Sequence, residues 1–182
     1  MTTTEQSSTA AATDDPERAD LLAMLGKGRH FLRFTVRELT DDQARQRTTA
    51  SELTLGGLVK HVAAVEATWA DFVVNGPAER GDPSTMTEED FADWNNGFRL
   101  LPEETLDGVL ADYAEVAKRT DELVASFPDL DASHPLPPAP WFEPGARWTA
   151  RRVFMHIIAE TAQHSGHADI IRESLDGQKS MG

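Results

Sequence analysis

Apolar residues in this chain recur every three or four positions in four long stretches, and no strand-like alternation persists anywhere. That spacing confines the fold to helices packed on helices. Asp15 before Pro16 reads as the N-cap and first residue of a helix whose apolar set, including Leu21, Leu25, Leu32 and Val36, runs to about Leu39. Thr40 and Gln43 have the spacing of a capping box for a short helical turn. A second long helix starts near Thr54, carries Leu58, Val62, Val65, Trp69 and Phe72 on one face, and stops at Gly76-Pro77. Pro102 opens a third, with Leu106, Val109, Tyr113 and Val124 inside. Thr149 caps a fourth, from Ala150 to about Leu175, with Gly177 past its end. The expectation is an all-α four-helix bundle with long polar and proline-rich connections.

The connections are uneven. Residues 77–101 are polar, and Thr87 with Glu88, Glu89 and Asp90 caps a short helix through Phe98. Residues 127–148 hold six prolines, so no regular element is expected there. Trp141, Phe142 and Trp148 in that stretch either wall a pocket or cover the bundle end. Gly56 and Gly57 either permit close approach of another element or simply start their helix. The division is a disordered tail over 1–13, one bundle domain over 14–177 and a short tail over 178–182.

Composition narrows the function classes. The net charge of −14 repels phosphate backbones, and no lysine–arginine stripe offsets it, so nucleic acid is not an expected partner. No apolar run is long enough to span a membrane. Residues 1–13 lack the basic start and apolar run of a signal peptide, so a cytoplasmic location is expected. The chain has no cysteine, which excludes a protein thiol as nucleophile or metal ligand. A homodimer is an open alternative, since no isolated apolar heptad demands one.

Chemistry concentrates in HIIAETAQHSGH, residues 156–167. At about 100° per residue, His156, Glu160, His164 and His167 fall at roughly 0°, 40°, 80° and 20°, all on one helix face. Imidazoles with a carboxylate suit a divalent cation, zinc or alternatively nickel. His156, Glu160 and His164 span about 12 Å at 1.5 Å per residue, too far for one ion. Glu160 and His164, four residues apart, can share one, with His61 of the second helix as third ligand. His164 with His167 is a competing pair. The bland alternatives are a core histidine at 61 and a polar network along the fourth helix.

The histidine of TLGGLVKH and the later ETAQHSGHADIIRE resemble the DinB-like superfamily over most of residues 15–176. The likeness is to its actinobacterial branch, which includes mycothiol-dependent maleylpyruvate isomerase and mycothiol S-transferases. The resemblance implies a metal held by His61, Glu160 and His164, with glutamate at 160 as in the isomerase-like members. His167 falls where many relatives carry glutamine. The resemblance also implies a low-molecular-weight thiol such as mycothiol as cosubstrate and an electrophile as its acceptor. A dication with two neutral imidazoles and one carboxylate keeps one positive charge, which a thiolate neutralises. A thiol-dependent isomerase, a metal-hydroxide hydrolase and a non-enzymatic, stress-related metal-binding bundle are the alternatives on the same residues.

Overall fold

The computed structural model describes residues 15–78 and 87–180. Its elements run α1 (Pro16–Thr35), α2 (Asp41–Ala44), α3 (Leu55–Asn75), α4 (Glu88–Asn96), α5 (Leu106–Ser126), β1 (Ser133–Pro135), β2 (Arg147–Thr149) and α6 (Ala150–Asp176). The tail expected over 1–13 and the last two residues of that expected over 178–182 lie outside the described residues.

Helices begin where a side chain can take up the unpaired N–H groups of the first turn. Asp15 accepts from the Glu17 amide and Thr149 from the Arg152 amide. Thr54 and Thr105 do the same for Gly57 and Gly108. Thr40 and Gln43 complete the expected capping box. Gly177 ends α6 at φ 78, a left-handed conformation suited to glycine.

The four long helices form an all-α bundle. α6 packs against α1 and α3, and α5 packs against the same two, so the four close a ring. Apolar side chains fill it in two clusters. One gathers Leu32, Leu58, Val62, Tyr113 and Ile171; the other gathers Leu25, Phe72, Val124, Phe154 and Ile157. Along each helix, buried polar positions separate the two: Arg29 on α1, Glu66 on α3, Thr120 on α5, and Thr161 and Ser165 on α6. Arg29 grips Glu66 from Nε at 3.1 Å and Nη2 at 2.5 Å, and reaches Asp121 from Nη1 at 2.7 Å. Buried charges survive in such a layer because each has its partner. No helix among the described residues is long and apolar enough to cross a membrane.

Three expectations are corrected. α1 stops at Thr35, not near Leu39, because the α6 residue Arg172 donates to the carbonyls of Thr35 at 2.9 Å and Arg37 at 2.8 Å. Arg172 is fully buried and supplies its charge to the C-terminus of α1. α5 opens at Leu106 rather than Pro102, since Thr105 provides the cap and residues 101–104 form a turn closed by the Glu104 amide on the Leu101 carbonyl. The proline-rich stretch is not wholly irregular. β1 and β2 pair antiparallel, with His134 opposite Trp148. Three residues per strand are too few for alternation to register in a sequence.

Candidate metal centre

The seam between α3 and α6 brings His61, Glu160 and His164 together. One nitrogen or oxygen from each lies within 4.8 Å of the others. His164 Nε2 stands 3.6 Å from Glu160 Oε2, and the His61 and His164 rings meet edge to face with centroids 4.9 Å apart. All three side chains are half-buried. The donor set fits a divalent cation: two imidazoles and a carboxylate, with no second carboxylate in the set to overcharge it. Donors about 2 Å from a tetrahedral ion lie roughly 3.4 Å apart, so small side-chain shifts close the set.

The surroundings keep the imidazoles neutral, the form that ligates. Burial pushes His61 below its usual pKa, and nearby His164 adds to this while Glu160 opposes it. Burial also lowers His164, against Glu160 and with His167. Each ring is held from outside the triad. Phe98 stacks on His61 with centroids 4.2 Å apart and planes 22° from parallel. His164 turns Nε2 toward Glu160 and places Nδ1 3.4 Å from Nδ1 of His167.

His156 and His167 share the predicted face but occupy the flanks. His156 Nε2 is 3.8 Å from Glu160 Oε1, and its ring sits edge-on to Trp69 and Trp148, which stack on each other at 4.9 Å. Trp148 thus walls the site through His156, Phe142 packs against Trp148, and Trp141 is exposed. Two carboxylates on the same two helices are engaged elsewhere. Glu66 holds Arg29, and Asp169 accepts from the Ser180 amide and hydroxyl. Phe98 is the residue that sequence reasoning missed. Its trace was Gly57: a Cβ there would lie 2.0 Å from the Phe98 carbonyl oxygen, so only glycine admits the chain that carries the ring to His61.

A comparison with curated proteins finds no match. The family model for mycothiol S-transferases matches residues 20–177, which takes in α1 from its second turn, the other three long helices whole and every member of the triad. The chain belongs to the mycothiol S-transferase family, within the DinB-like superfamily.

Proposed function

We propose that this protein is a metal-dependent thiol S-transferase that joins mycothiol, or a closely similar thiol, to an electrophile. The observation that carries the reading is the convergence of His61, Glu160 and His164 donor atoms within 4.8 Å, in a chain whose family transfers mycothiol. His61 and His164 offer neutral nitrogens, and Glu160 offers the one negative charge. A divalent cation held there, zinc in our reading, supplies the Lewis acidity that makes a thiol a thiolate near neutral pH. Phe98 and the Trp69–Trp148 stack position His61 and His156. The absence of cysteine leaves the transferred sulfur to the cosubstrate, and the reaction belongs in the cytoplasm, where such thiols stay reduced. We assign the whole activity to a single domain over 14–177.

Elemental analysis of wild type, His61→Ala and His164→Ala, paired with transfer of mycothiol to 1-chloro-2,4-dinitrobenzene, tests this. The expected result is one metal per chain, lost in both variants together with thiol-dependent turnover. No metal after reconstitution with zinc or nickel, or turnover that needs no thiol, would overturn the reading.

A further inference from the structure

A groove of about 530 Å³ runs between α1 and α5, lined by Arg29, Arg33 and Arg37 with His30, Gly26 and Asp121. In the ring of helices this seam lies opposite the α3–α6 seam that carries His61 and His164. Two of its arginines are committed. Arg29 holds Glu66 and Asp121. Arg37 donates to the Phe34 carbonyl and to Gln178 while its guanidinium covers the Phe34 ring at 3.7 Å. Arg33 is different. Its Nε and Nη2 are buried with no hydrogen-bond partner, and no carboxylate among the described residues pairs with it. Its guanidinium lies over the Tyr113 ring, 5.3 Å from the centroid.

Buried guanidinium N–H groups without an acceptor are costly, and here they occur on a half-buried cation in a chain of net charge −14. Asp121 in the groove and the buried Glu66 both pair with Arg29, so neither serves Arg33. We propose that this groove binds a small organic monoanion through its carboxylate, with Arg33 as the counter-ion. The Nε–Nη2 edge is the one by which Arg29, a turn earlier, grips Glu66 with two bonds, so the chain itself displays the geometry. No hydrogen bond holds Arg33 over Tyr113, so turning that edge into the groove breaks none. His30 and Phe34, near-parallel at 6.0 Å, flank the groove for the organic part of the ligand.

Titration of the full chain with benzoate, read by calorimetry and by the arginine Nε–H resonances, tests the site. Saturable binding that moves the Arg33 resonance is expected. Arg33→Met weakens it by about tenfold or more, and Arg33→Lys weakens it too because a point charge lacks the two-pronged edge. Gly26→Leu is the second variant. A Cβ at 26 meets nothing within 4 Å, so the fold is kept while the side chain fills the groove and removes binding. His164→Ala leaves benzoate binding unchanged, which separates this site from the metal centre. Absence of saturable binding, survival of binding in Gly26→Leu, loss in His164→Ala, or preference for inorganic phosphate overturns the proposal.

Discussion

The Phe98 carbonyl oxygen occupies the space in which a side chain on Gly57 would begin, 2.0 Å from the position of its Cβ. The contact seats residue 98 against the first turn of α3, and one turn further on the Phe98 ring covers His61. Gly57→Ala must therefore push a backbone segment away, at a cost of about 1–3 kcal/mol of stability. It also frees the His61 ring. Urea unfolding and zinc affinity should both fall in G57A. If stability falls and zinc affinity does not, Phe98 has no part in holding His61.

A second expectation concerns the far side of His164. Its Nε2 faces Glu160 and its Nδ1 lies 3.4 Å from Nδ1 of His167, so a metal on Nε2 would leave the proton on Nδ1 to be donated to His167, the kind of outer partner that fixes a ligand's tautomer. His167→Ala should weaken zinc by about 10–100-fold without abolishing it, whereas His164→Ala abolishes it. His167→Gln, whose amide oxygen can accept the same hydrogen, should recover part of the loss. Chelator competition gives the numbers. Complete loss in His167→Ala would instead make His167 a ligand.

What the sequence disclosed was local. The caps at Asp15, Thr40, Thr54 and Thr149 lie within a turn of the amides they serve, so neighbouring residues announce them. The face shared by Glu160 and His164 follows from helix geometry, His61 stood out as the one histidine of the second helix, and likeness to a family pointed to the same three residues. Contacts across the bundle were silent. Arg172 caps a helix whose end lies 137 residues earlier, and Arg29 finds Glu66 37 residues away. Charged residues on amphipathic helices ordinarily face water, and nothing in their spacing marks these two as buried. Phe98 follows a short helix in a polar connection, where no periodicity says which way a ring turns.

The Arg29–Glu66 pair carries its own prediction. Both side chains are almost fully buried, so removing one strands the other's charge. Arg29→Met should cost about 3–5 kcal/mol. The double substitution Arg29→Met with Glu66→Leu should cost clearly less than the two single changes added together, because it leaves no buried charge unpaired. Urea midpoints of the four proteins close the cycle. Strict additivity would mean that Asp121, not Glu66, is the partner that matters to Arg29.

Arg172 links stability to acidity. It donates to Asp176 from Nε at 3.0 Å and Nη2 at 2.9 Å while its Nη1 caps α1. The Arg172 hydrogen bonds, reinforced by the Gln178 amide and the charge of Arg37 and opposed by desolvation, hold the Asp176 carboxyl below its ordinary pKa. A folded-state value below the unfolded one means that the ionised carboxylate is preferred in the native protein. The pair then contributes its full stability above about pH 4, the unfolded aspartate value, and loses it as pH falls through the depressed folded value. Asp176→Asn should thus be less stable than wild type at pH 6, and the gap should narrow steadily when the urea midpoints are repeated toward pH 2. A gap that does not change with pH would mean that Asp176 acts on Arg172 through hydrogen-bond geometry alone, with no part played by its charge.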